Sequence, residues 1–222
     1  LALAGLSWVA QASLRRPDTS ALAVWADRHL GGQSAFGTCL DLQSPTPVAA
    51  DPRAARHLAT IEQALTDFLV AIAGTDTLVL VTADHGQIDT RPADNIHLAD
   101  HPRLASCLAL PLCGEPRAAF CYLRPRRVND FVHYCEDVLG DRVSLHPSGE
   151  LVDQGLFGHG EPAPALEERI GDFTLLMRGP WVLRDRLPSE KAYTQIGVHG
   201  GLSATELQVP LCVIPPPIRH PS

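Results

Sequence analysis

The chain has 222 residues, of which 45% are hydrophobic and 19% charged, and its net charge is −7. At a prior of roughly 150 residues per domain this is one large domain or a domain carrying an insert, and the apolar fraction is too high for a disordered chain. No run of apolar residues is long enough for a membrane helix, and no basic run of the kind that tracks a phosphate backbone occurs, so a nucleic-acid scaffold and a membrane role are not expected.

In chain order, residues 1–14 are apolar and Ala-rich, with no initiator Met and no basic n-region before them. They read as a helix entered partway, stopped by Pro17, and the chain reads as the C-terminal portion of something longer. Residues 22–25 read as a short buried strand and residues 30–50 as loop. Asp51 followed by Pro52 is a helix start. From there Leu58, Ile61, Leu65, Phe68, Leu69 and Ile72 recur at helical spacing up to a stop at Gly74. Residues 77–82 (Thr-Leu-Val-Leu-Val-Thr) are a continuous apolar run after a long helix. That pattern predicts a strand buried on both faces of a parallel sheet, hence an α/β fold.

A second region follows. Residues 118–123 read as a strand, 128–139 as an amphipathic helix, and 173–177 and 181–183 as strands around an Arg-Gly-Pro turn. Residues 207–214 are a last apolar strand. The expected architecture is α/β, a mostly parallel sheet flanked by helices, with a smaller α+β cap region. Residues 1–92 and 191–222 would form the discontinuous core and residues 93–190 the cap. The six cysteines, Cys39, Cys107, Cys113, Cys121, Cys135 and Cys212, contain no Cys-x-x-Cys pair. They read as small core residues in a reducing compartment, with a cytoplasmic location.

Two segments carry chemistry. Thr82-Ala83-Asp84-His85-Gly86 lies just past the end of a predicted buried strand, the edge at which open α/β sheets bind ligands. A carboxylate and an imidazole side by side supply one O and one N ligand to a divalent metal. The alternative is a capping Asp beside a surface His. Gly197-Val198-His199-Gly200-Gly201-Leu202-Ser203 places a His among three glycines before an apolar strand. Glycines permit close approach of backbone to a ligand, and the alternative is a Gly turn with an incidental His. Ser203 and Glu206 have the spacing of a capping box, which predicts a short helix there.

Together, Thr-Ala-Asp-His-Gly and the later His-Gly-Gly-Leu-Ser followed by Val209-Pro210-Leu211 resemble the alkaline phosphatase superfamily, and within it the type I phosphodiesterase/nucleotide pyrophosphatase family. Residues 96–102 and 110–117 resemble bacterial members of that group. The resemblance covers residues 51–214 and is thin before them. It implies a two-metal site, usually zinc, in which Asp84 and His85 match ligands of one ion and His199 a ligand of the other. The family's remaining Asp and His ligands would fall near Trp25. There the aligned positions hold His29 and Gln33, with Asp27 two residues early. Either Asp27 and His29 serve instead, or this half-site is degraded, which the substitutions favour.

What the resemblance implies is hydrolysis of a small phosphate ester, most simply a diester. A Thr or Ser hydroxyl attacks phosphorus and water then hydrolyses the phospho-enzyme. No segment here resembles the one that bears this nucleophile, so the catalytic nucleophile is unknown and little diesterase activity is expected of these residues alone. Rival readings are a sulfatase, phosphomonoesterase or phosphomutase of the same superfamily, or a non-catalytic remnant that at most binds metal. His97 and His101 read as surface or substrate-facing, and the cluster Arg124, Arg126 and Arg127 as a solvated loop.

Overall fold

The computed structural model describes residues 8–12, 52–158, 160–186 and 196–216. The predicted strand at residues 22–25 and the positions of Asp27, His29 and Gln33 lie outside them. The chain divides into two compact units, Leu1–Gln87 with Leu207–Ser222, and Ile88–Glu206.

In the first unit, helix α1 (Pro52–Ala71) presents Ala64 and Phe68 as buried residues, with Leu65, Leu69 and Ile72 half-buried beside them. Three- and four-residue spacing puts all five on one stripe. That stripe packs on Val79 and Val81 of strand β2 (Val79–Ala83) and on Ile214 of a later strand. β2 is the centre of a three-stranded sheet, between β1 (Trp8–Ala12) and β11 (Leu211–Ile214).

This sheet departs from expectation in four ways. Residues 1–14 read as a helix, yet Trp8–Ala12 are extended and pair with β2, Trp8 opposite Ala83 and Ala12 opposite Val79. Ladder bonds to a partner strand override the helical preference of an Ala-rich segment, which is a weak local bias. Both neighbours of β2 run antiparallel to it, so the predicted mostly parallel sheet is not what forms. Burial on β2 also alternates: Val79, Val81 and Ala83 are buried, whereas Leu80 is 39% exposed and Leu211 and Val213 on β11 are 69% and 54% exposed. An apolar run reports that a strand can be buried on both faces. It does not report strand direction, nor whether a second layer covers the outer face. The predicted strand at 207–214 is shorter than expected, beginning only at Leu211 after the short helix Ala204–Leu207.

The second unit is built on a four-stranded antiparallel sheet. Strands β5 (Cys113–Glu115), β6 (Ala118–Cys121), β7 (Val143–Pro147) and β8 (Phe173–Met177) lie in the order β5-β6-β8-β7. The predicted strands at 118–123 and 173–177 are both here. Helices α2 (Pro102–Cys107) and α3 (Val128–Tyr134) cover one face, contributing Leu104, Cys107 and Phe131 to the core. The predicted helix at 128–139 buries Phe131, Cys135 and Leu139, but Val138 is exposed and the last turn, Cys135–Leu139, widens to a π-turn. Helices α4 (Ser148–Asp153) and α5 (Leu166–Ile170) complete the layer sequence. The parallel pair among the described strands is β4 (Asn95–His97) with β9 (Val182–Arg184).

Cys107, Cys121 and Cys135 are core residues as read, and burial pushes the Cys135 thiol up to about 12. Cys113 and Cys212 are exposed, and all five described cysteines are free thiols. Among the described residues no helix is long and apolar enough to cross a membrane.

The two sheets differ in what a truncation costs. Leu175 on β8 is fully buried in the second unit's core. Leu175→Ala should lower the unfolding free energy by about 2–5 kcal/mol, read from urea denaturation. Leu211→Ala on the exposed face of β11 should change it by no more than about 0.5 kcal/mol.

Candidate metal centre and the glycine loop

Asp84 and His85 follow β2 directly, where the strand ends and the chain bends at Asp84. The turn is held by its own side chains. The His85 backbone N–H donates to Asp84 Oδ1 at 3.0 Å. His85 Nδ1 lies 2.7 Å from the Gly86 carbonyl oxygen. A carbonyl can only accept, so Nδ1 carries the proton and Nε2 is the ring's basic nitrogen in the neutral form. That nitrogen is 3.7 Å from Asp84 Oδ2, and both side chains are partly open to solvent.

These two atoms fit as ligands of one ion. Zinc bonds imidazole N and carboxylate O at roughly 2.0–2.2 Å, so two tetrahedral ligands lie about 3.3–3.5 Å apart. The separation of 3.7 Å needs only a small adjustment. The Nδ1–H bond to a backbone carbonyl is the outer contact that usually orients a ligating imidazole.

His199 belongs to the second unit. It follows strand β10 (Gly197–Val198), which pairs antiparallel with β3 (Ile88–Asp89), Val198 opposite Ile88 and Gly197 opposite Asp89. The ladder therefore ends one residue before His199, at a partner three residues after His85. Among the described residues, no three His, Cys, Asp or Glu side chains form a group able to hold a metal ion.

The loop after His199 is fixed by a pair that local pattern did not reveal. Arg117, between β5 and β6, and Glu206, in helix α6 (Ala204–Leu207), are 1% and 2% exposed. Arg117 Nε donates to Glu206 Oε1 at 3.0 Å and Nη2 to Oε2 at 2.9 Å, a two-point contact. Arg117 Nη1 donates to the carbonyls of Gly179 and Trp181, at 2.7 and 2.6 Å. Glu206 also accepts the Gly201 N–H at 2.9 Å, the Ser203 N–H at 3.3 Å and the Ser203 hydroxyl at 2.6 Å. Burial by itself raises the Glu206 carboxyl, but hydrogen bonds from Arg117, Ser203 and Gly201 outweigh it and hold the group below the usual carboxylate range.

Two glycines of the loop are required by this packing. A Cβ on Gly201 would sit 2.8 Å from both Glu206 carboxylate oxygens and 3.1 Å from Arg117 Nε. Gly200 has φ +98° and a Cβ there would lie 2.6 Å from Glu115 Cβ. Gly200 and Gly201 thus serve the turn and the buried pair. Gly200→Ala should destabilise the chain by about 1–3 kcal/mol through backbone strain alone, measured by urea denaturation against Gly149→Ala, where a Cβ meets nothing within 4 Å.

Leu202 and Ser203 of this loop also line an open cleft of about 710 Å³ with Ile88, Met177, Arg178 and Thr205. That volume lies in the range of small-molecule sites. Of the other histidines, His101 is structural: its Nδ1 bonds the Tyr134 hydroxyl at 2.8 Å, and burial, followed by the Arg142 charge, lowers its pKa. His97 is exposed, and Arg124 and Arg127 are surface residues, Arg127 paired with Asp130 at 2.6 Å.

No protein-family profile and no curated protein matches the chain. Solved structures do. Murine ectonucleotide pyrophosphatase/phosphodiesterase 5 superposes with a TM-score of 0.52 at 14% identity, over 73% of this chain and 41% of its own. Phosphonoacetate hydrolase from Sinorhizobium meliloti 1021, in complex with phosphonoformate, gives 0.53 at 20% identity, over 74% and 41%. Human ectonucleotide pyrophosphatase/phosphodiesterase 5 gives 0.53 at 12% identity, over 74% and 41%. An inactive variant of the murine protein is solved with AMP, and the phosphonoacetate hydrolase also with phosphonoacetate. The likeness is one of fold, and this chain spans 41% of the length of each.

Proposed function

We propose that the chain carries part of the metal site of a phosphoric ester hydrolase, most simply a phosphodiesterase or nucleotide pyrophosphatase. The observation that carries this reading is the convergence of Asp84 Oδ2 and His85 Nε2 at 3.7 Å past the end of β2, with His85 Nδ1–H held by the Gly86 carbonyl. The fold shared with phosphoryl and phosphonate hydrolases supports it.

In this reading Asp84 and His85 hold one divalent ion and His199 contributes to a second, zinc being the metal that best suits N and O donors together. Divalent ions so bound supply Lewis-acid stabilisation of phosphoryl oxygens and neutralise charge that an acidic chain would repel. The chain's own residues bind and orient. His85 is kept in one tautomer by Gly86, Asp84 is tied to its neighbour's backbone, and neither transfers a proton. Residues 93–190 would act as the cap that selects the organic part of the ester.

The test is zinc titration of the 222-residue chain by calorimetry, alongside hydrolysis of a nitrophenyl phosphodiester with added zinc. Measurable zinc binding that Asp84→Ala and His85→Ala both abolish is expected, with little turnover, because no nucleophile is identified among these residues. Zinc binding indifferent to both substitutions would overturn the reading. Robust turnover abolished by His199→Ala would keep the metal site and place the nucleophile within this chain.

A further inference from the structure

Arg117 and Glu206 hold no substrate and no ion in the reading above, yet they are among the largest fully buried side chains of the second unit. Arg117 uses four of its five N–H donors, two on Glu206 and two on carbonyls of the turn between β8 and β9. Glu206 accepts five hydrogen bonds, three of them from Gly201 and Ser203. A buried ion pair of this kind is rarely more stabilising than well-packed apolar side chains of the same volume. Net stability therefore gives little reason for it, and what it holds in place does.

What it holds is the loop that bears His199. On one side, Val198 is fixed in the β3–β10 ladder. On the other, the Gly201 N–H is fixed on Glu206. His199 is bracketed within two residues in both directions. Arg117 links this loop to the turn at Gly179 and Trp181, whose intervening Pro180 carbonyl accepts the Thr90 hydroxyl at 3.1 Å. Thr90 in turn donates its backbone N–H to Ile196 at 2.7 Å, one residue before β10. The network closes on itself around the His199 segment.

We propose that the Arg117–Glu206 pair is a positioning device that presets the His199 loop for metal ligation. The inference rests on the reading of His199 as a ligand. Glu206→Gln places an amide donor where Arg117 and Ser203 also donate, so the loop loses its anchor while the shape is kept. Arg117→Met with Glu206→Met removes both charges together, so no unpaired charge stays in the core, while the Gly179 and Trp181 carbonyls and the Gly201 and Ser203 N–H groups lose their partners.

The experiment compares the full chain with these variants, with Arg117→Lys and with His199→Ala. Two readouts are taken: hydrogen exchange at the Gly201 and Ser203 amides without metal, and the zinc dissociation constant. The double variant is expected to unfold cooperatively and to exchange both loop amides at least about tenfold faster. It should bind zinc about 10–100-fold more weakly, as outer-shell changes usually do. Arg117→Lys, which keeps the charge with fewer donors, should fall between it and the wild type. If the double variant fails to fold, Glu206→Gln and Arg117→Lys decide in its place. Unchanged loop exchange would overturn the proposal. So would faster exchange with unchanged zinc affinity in a chain whose affinity His199→Ala lowers, and that result would leave His199 a ligand. If His199→Ala has no effect on zinc affinity, the ligand reading of His199 fails and the positioning role fails with it.

Discussion

Arg117→Met alone is expected to lower the unfolding free energy by about 3–5 kcal/mol, the cost of leaving one partner of a buried ion pair without the other. The carboxylate of Glu206 would keep its bonds to Gly201 and Ser203 but lose two charge-assisted donors in a site 2% exposed. The carbonyls of Gly179 and Trp181 would lose their donor as well. Adding Glu206→Met should recover part of that loss, because no unpaired charge then remains although the backbone groups that the pair served stay without partners. Urea denaturation of the two single variants and the double variant completes the cycle, and equal losses in the single and double variants would contradict it.

The same pair sets a pH dependence whose direction follows from Glu206. Its folded pKa lies below the value of an unfolded carboxylate, about 4.3, through bonds to Arg117, Ser203 and Gly201 that outweigh burial. A depressed carboxylate contributes stability that is complete above the unfolded pKa and is lost as pH falls through the folded one. The wild type should therefore lose stability below about pH 4.3 more steeply than the double Met variant, with the difference vanishing at neutral pH after the variant's own offset is subtracted. Acid titration of both proteins followed by circular dichroism measures the two slopes. Parallel slopes would mean that Glu206 titrates normally in the folded chain.

How much of this was legible in the sequence depended on the range of the interaction. The stripe Leu65, Phe68, Leu69 and Ile72 announces α1, because a helical period is local. Strands Phe173–Met177 and Val79–Ala83 are visible for the same reason. Sheet direction is not local: nothing within residues 77–82 distinguishes a parallel core strand from the centre of an antiparallel sheet whose Leu80 face stays open. Trp8–Ala12 became a strand through β2, over 60 residues downstream. Asp84 and His85 were legible as a pair because they are adjacent and their strand is local. Arg117 and Glu206 are 89 positions apart. Glu206 was visible only as a capping residue and Arg117 only as the end of a resembling segment, and no single-sequence pattern joins them. The one signal was indirect, three glycines around a His, of which Gly200 and Gly201 are explained by Glu115 and by the pair itself.

His85→Asn should weaken zinc binding as much as His85→Ala, by about 100-fold or more, a loss at or above the top of the range for outer-shell changes. The argument is one of atoms. An asparagine side-chain nitrogen reaches roughly where Nδ1 sits, so it can keep the bond to the Gly86 carbonyl now 2.7 Å long. It has no atom where Nε2 stands, and Nε2 is the nitrogen that faces Asp84 Oδ2 at 3.7 Å. His85→Gln is the converse: its terminal oxygen reaches toward the Nε2 position but its stem carries no donor for Gly86. That variant should retain part of the affinity, with a poorer and less oriented ligand. Calorimetric titration of the three variants against a competing chelator ranks them. The order wild type, then Gln, then Asn equal to Ala, assigns ligation to Nε2. Asn binding as well as wild type would mean that the imidazole serves the turn and that Asp84 and His85 are a capping pair at the end of β2.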